Sequence, residues 1–159
     1  MYTSQIHLLF INHPTSNISK FVDVHIKDFV PKTESYIRDT QDFIKKINQI
    51  SPLPEWTILP TLDVSSLYTN IPNQEGLIAV ADKLRSDPNK AGISNYILDL
   101  LKLVLHSIYF QFNKDHYLQI GGTAIGTALA PNYDNLFMDK FETKALKITL
   151  WNHCYGKDL

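Results

Sequence analysis

The stretch Leu62-Asp63-Val64-Ser65-Ser66-Leu67-Tyr68-Thr69-Asn70-Ile71-Pro72 decides how the chain is read. It continues Thr57-Ile58-Leu59-Pro60-Thr61, and residues 57–64 together have the β-branched, apolar composition of a short strand. Pro60 is awkward there, because proline donates nothing to a ladder. Asp63 stands where this strand opens into a turn. A carboxylate at such a mouth can hold Mg²⁺ and leave positions for phosphate oxygens and water. Taken alone, an Asp capping its own turn explains the residue better. Tyr68 follows past the reversal, where its ring either walls a pocket or fills the space under the turn.

Upstream, the pattern is helical. Ile18, Phe21, Val22, Ile26, Phe29 and Val30 recur near the helical period, which predicts a helix from Thr15 to Val30, capped by Thr15 or Ser16 and stopped by Pro31. A second helix is expected from Ser35 to Ile50, with Tyr36, Ile37, Phe43, Ile44, Ile47 and Ile50 as its apolar stripe. Ser51-Pro52-Leu53-Pro54 breaks the chain.

Downstream, Asn73 is placed to cap a helix from Gln74 to Leu84. Ser94 is placed to cap another, whose Ile97, Leu98, Leu101, Val104 and Leu105 share one face. The period then changes to two: Ile108, Phe110 and Phe112 alternate with Tyr109 and Gln111, and Tyr117-Leu118-Gln119-Ile120 follows. Asn113-Lys114-Asp115 between them predicts a hairpin turn. Gly121-Gly122-Thr123-Ala124-Ile125-Gly126 is a small-residue loop, and from Pro131 to Thr149 the pattern is helical again. The order is that of an α+β fold, with helices packed on a small antiparallel sheet.

Composition bounds the function. The 159 residues, 44% of them hydrophobic, suit one domain with a real core. Fifteen Lys+Arg against sixteen Asp+Glu give a formal charge of −1, without the basic surplus of a self-sufficient nucleic-acid binder. No apolar run approaches the roughly 20 residues that span a bilayer, so no membrane partner is expected. The start lacks a basic region ahead of its apolar patch, so no secretory signal is expected. Cys154, the single cysteine, excludes an internal disulfide; an intracellular compartment, cytoplasm or nucleus, is the expected location. The six histidines show no metal-ligand spacing, and the glycine loop lacks the Lys-Ser/Thr ending of a phosphate loop.

Read together, two weak sites become a specific one. Residues 62–72 resemble motif A of reverse transcriptases in the form found in Penelope-like retroelements. Tyr117 to Thr127, with Ala130-Pro131 and Leu136-Phe137-Met138, resembles motif B of the same family. Pro14-Thr15-Ser16-Asn17-Ile18-Ser19 and Ser35-Tyr36-Ile37-Arg38-Asp39-Thr40 are similar to the region that precedes motif A there. The resemblance implies a single incomplete domain over 1–159, part of the fingers and palm of a right-hand polymerase. Residues 1–56 would be a helical region before motif A, with motif A in 57–72 and motif B in 117–138. It further implies that Asp63 binds catalytic Mg²⁺, with the Val64 carbonyl beside it. Tyr68 would stack under the sugar of the incoming nucleotide and select deoxynucleotides sterically. Ile125, Gly126, Ala130 and Pro131 would shape the wall that holds nucleotide and template base. RNA template and DNA primer are the partners so implied, and the activity is that of a retrotransposon nucleotidyltransferase.

The chain departs from the family in ways that bear on activity. It contains no Asp-Asp pair, the core of motif C. If the tail Tyr155-Gly156-Lys157-Asp158 is a decayed version, Asp158 is a further metal candidate and Lys157 stands where the first Asp belongs, a cation that repels Mg²⁺. No thumb and no endonuclease segment is expected within the chain. Asp134 occupies a place on the motif B helix where the family carries a small apolar residue. Cooperating catalytic groups act as a unit, so loss of one costs orders of magnitude. The expected chain is therefore a reverse-transcriptase fragment that is inactive alone. The alternatives are a remnant that still binds RNA or an RNA–DNA hybrid, and a non-catalytic helical interaction module.

Overall fold

The computed structural model describes residues 13–50, 52, 55–58 and 63–155, with side chains followed as far as Ala145. Its regular elements are α1 (Ser16–Ile26), α2 (Thr40–Ile47), α3 (Leu67–Asn70), α4 (Asn73–Ser86), α5 (Ser94–Leu105), β1 (Tyr109–Phe112), β2 (Asp115–Leu118) and α6 (Ala130–Tyr155). The class is α+β. Residues 59–62, the centre of the expected motif A strand, lie outside the described residues, as does Asp158. Thr57, Ile58, Asp63 and Val64 are irregular.

The core forms between helices. Val22 and Ile26 of α1, Val80 and Leu84 of α4, Ile97 and Leu101 of α5, and Tyr133 and Leu136 of α6 are fully buried in one cluster. The recurrence of these residues near every third or fourth position gives each helix one face to bury. Polar groups stitch the same interface. The buried Ser19 hydroxyl accepts the Leu129 amide at 3.3 Å, and Asn132 Nδ2 donates to Asp23 Oδ1 at 2.7 Å.

The sheet is one antiparallel hairpin among the described residues, with Phe112 paired to Asp115 and Tyr109 to Leu118. Asn113 and Lys114 both have positive φ (49° and 73°), the turn whose twist matches the strands it joins. Asp115 therefore belongs to β2 rather than to the turn. The expectation of helices packed on the sheet is corrected in emphasis. Tyr109, Phe112, Tyr117 and Leu118 are exposed, and only Ile108, just before β1, is buried against Ala124.

Local expectations are corrected at four further places. Regular α1 ends at Ile26, and a 3-10 turn, Lys27–Lys32, carries the chain across Pro31. Thr15 does not cap α1 through its side chain; its hydroxyl pairs with His13 Nδ1 at 2.8 Å. The second helix starts only at Thr40, capped by Asp39, which accepts the Asp42 amide at 2.8 Å, and it ends at Ile47. Its stripe is not buried: Phe43, Ile44 and Ile47 are about half exposed, at 48%, 52% and 46%. Ser94 is the first residue of α5 rather than its cap, and its hydroxyl donates to the Ala91 carbonyl at 2.8 Å.

Candidate functional site

The segment after Asp63 is a turn closed by its own side chains. Ser66 sits in the left-handed region (φ 52°, ψ 42°) and reverses the chain into the single turn of α3. Asn70 Nδ2 donates to the Ser65 carbonyl at 2.9 Å, and Thr69 Oγ1 to the Ser66 carbonyl at 3.1 Å. Small polar residues are favoured in such turns because they hydrogen-bond nearby backbone. Ile71, 1% exposed, then anchors the turn in the helical core.

The glycine loop docks on this turn through consecutive amides. Thr123 N–H donates to the Tyr68 carbonyl at 2.7 Å, and Gly122 N–H donates to the Ile71 carbonyl at 3.1 Å. Gly122 N–H is shared with Asn73 Oδ1 at 3.0 Å. Asn73, expected to cap α4, instead reaches across to the loop with its side chain, and Pro72 precedes the helix without a side-chain cap. The approach is close because Gly122 has no side chain and a φ of 73°. From the other side, Gln119 Nε2 donates to the carbonyls of Gly121 (2.7 Å) and Thr123 (3.2 Å). Thr127 Oγ1 closes the loop onto the Ala124 carbonyl at 2.6 Å.

The two stretches singled out in the sequence therefore meet, at Tyr68–Ile71 and Gly122–Thr123. Asp63, Val64 and Tyr68 are exposed, as are Ile125, Gly126 and Pro131, whereas Ala130 is buried at the start of α6. Among the described residues no group of three His, Cys, Asp or Glu side chains converges to hold a metal ion. Asp63 with the Val64 carbonyl offers too few donors to fix a pair of Mg²⁺ ions, which need several oxygens each. The described residues do not fit a two-metal centre.

Behind the loop lies a buried polar pair that spacing did not reveal. Tyr133 and Asp134 are 0% and 4% exposed, and the Tyr133 hydroxyl and Asp134 Oδ2 have no hydrogen-bond partner. Burial pushes the Asp134 carboxyl up to about 7, opposed by its hydrogen bond from Thr123. The only sequence signal was a charged residue, Asp134, on a helix where the family that the sequence resembles carries a small apolar one. Elsewhere, a groove of about 490 Å³ runs along Ile78 of α4 and Phe137 and Phe141 of α6, and shares no lining residue with the junction.

No protein-family model, curated protein or solved structure matches this chain. No helix among the described residues is long and apolar enough to cross a membrane.

Proposed function

We propose that the chain is a catalytically incomplete portion of a retroelement-type reverse transcriptase, carrying motifs A and B. The observation that supports this reading is the backbone contact between Tyr68–Ile71 and Gly122–Thr123, which are far apart in sequence and both belong to the resembling stretches. On this reading Asp63 and Tyr68 descend from the metal-binding and sugar-stacking positions, and RNA template and DNA primer are the ancestral partners. The exposed stripe of α2 favours a second reading, an interaction module that keeps the ancestral frame without its chemistry.

Two measurements test the proposal. Primer extension on an RNA template with Mg²⁺ or Mn²⁺ is expected to yield no product. Extension that Asp63→Asn abolishes overturns the inactivity. The nucleotides that follow the codon for Leu159 test the ancestry. Codons for an aromatic-x-Asp-Asp motif in any frame support it, and unrelated coding sequence there favours the interaction module.

A further inference from the structure

Thr123 has one hydroxyl proton and two acceptors within reach. Its Oγ1 lies 3.4 Å from the Tyr68 carbonyl oxygen and 3.4 Å from Asp134 Oδ1. A hydroxyl donates one hydrogen bond, so an ionised Asp134 and the Tyr68 carbonyl compete for it. A neutral Asp134 removes the competition. Its own proton, on Oδ1, goes to Thr123 Oγ1, and the Thr123 proton is released to Tyr68. Burial favours that second arrangement, because Oδ2 has no partner. A bare carbonyl oxygen costs far less in a dry site than a bare carboxylate oxygen.

We propose that Asp134, acting through Thr123, is a proton-operated latch on the junction between the Tyr68 turn and the glycine loop. Neutral Asp134 completes a chain of hydrogen bonds to the Tyr68 carbonyl; ionised Asp134 draws the hydroxyl away and leaves the junction to the Thr123 amide on Tyr68 and the Gly122 amide on Ile71 and Asn73. Asp134 and Thr123 are positioning residues in this scheme, which does not depend on the polymerase reading.

The surroundings suit such a device. Most of the charged groups that neighbouring elements turn toward α6 are paired with other residues. Asp23 of α1 holds Asn132, and Lys83 and Asp82 of α4 pair with Asp139 and Lys140. Glu75 borders the groove at Phe137. On the 3-10 turn Asp28 meets Lys90, and Lys32 lies over the Phe29 ring. α3 carries no charged residue, and its Tyr68 side chain is exposed. The Tyr133 phenol beside Asp134 is itself held neutral by burial. Burial and the Thr123 hydroxyl thus set the protonation of Asp134, which turns over near neutral pH.

Amide hydrogen exchange on the intact chain, corrected for intrinsic chemical exchange, reads the latch. Between about pH 5 and about pH 9, protection at Gly122 and Thr123 is expected to fall about fivefold more than at Leu101 in α5, the equivalent of one ordinary hydrogen bond. Asp134→Asn carries an amide that donates to Thr123 at every pH, so the extra loss should vanish. Thr123→Val keeps the titrating carboxyl and any general change of stability with pH, yet should also lose the extra fall at the loop amides. Equal pH dependence at the loop and at Leu101 in the unaltered chain overturns the proposal. So does an extra fall that persists in Thr123→Val, a result that stands even if Asp134→Asn does not fold.

Discussion

The carbonyl oxygen of Tyr68 occupies the space where a side chain on Gly122 would begin: a Cβ built there would lie 2.3 Å from it and 2.7 Å from Thr69 Cα. Both obstacles are backbone, and Gly122 has a φ of 73°, where an L side chain adds about 1–2 kcal/mol of strain. Gly122→Ala should therefore destabilise the chain by more than about 2 kcal/mol in urea denaturation. Gly121 meets nothing within 4 Å. Gly121→Ala is expected to stay within about 0.5 kcal/mol of the parent, as surface changes do. Equal effects at the two positions would show that the loop does not dock on the turn.

Asn73 tests the same junction from the helix side. Its Oδ1 accepts the Gly122 amide at 3.0 Å, and the Ile71 carbonyl shares that amide at 3.1 Å. Removing one of two acceptors leaves the donor satisfied, so Asn73→Ala should cost about 0.5–1 kcal/mol, without the larger penalty of a buried orphan. Asn73→Asp keeps an acceptor at the site and is expected to recover most of the loss.

Much of the helical core and the hairpin was legible because each follows a local period. Ile97, Leu101, Val104 and Leu105 were placed on one face of a helix by spacing, and the structure buries all four. The hairpin declared itself by a change to period two around Asn113-Lys114. What spacing does not encode is what lies opposite a face. Phe43, Ile44 and Ile47 form as regular a stripe, yet they remain half exposed, because a period says which side is apolar and not that another element covers it. Capping rules failed at Asn73 for a related reason. A side chain that suits its own helix end also suits an amide 49 positions away, and tertiary contact decided between them. Of the candidate site, the contact between its two stretches was implied only by resemblance. The burial of Asp134 was invisible to periodicity, since a carboxylate on a helix reads as solvent-facing.

Tyr133 carries a hydroxyl that the fold does not use. The ring is fully buried and its oxygen has no partner. Tyr133→Phe removes an unsatisfied polar atom while preserving the ring, and should leave stability unchanged or raise it by about 1 kcal/mol. The ring packs over Gly76, whose lack of a side chain leaves room for it; a Cβ on Gly76 would overlap the phenol end. Gly76→Ala should destabilise strongly both in the parent and in the Tyr133→Phe background, as the overlap includes a ring carbon at 2.3 Å. Thermal denaturation of the parent, the two single variants and the double variant checks the pattern.

Two groups of carboxylates give the pH dependence of stability opposite signs. Asp39 and Asp42 are held below the usual carboxylate range, the first chiefly by the Asp42 amide and the second chiefly by the Arg38 amide. A lowered acid stabilises above its unfolded value, and the contribution is lost as pH falls through the folded one. The start of α2 should therefore loosen in acid, seen as lost protection of its first amides. Asp134 acts in reverse. It is raised from 3.8 to about 7, so the folded chain retains a proton that the unfolded chain has released. Stability is highest below the unfolded value, falls as pH rises toward 7, and levels above it, a loss on the order of 4 kcal/mol across the window. Asp134→Asn should abolish that fall, so that its denaturation midpoints at about pH 5 and about pH 8 nearly coincide while those of the parent separate. A parent whose midpoints already coincide would show that the carboxyl ionises at its ordinary value and is not held dry beneath the glycine loop.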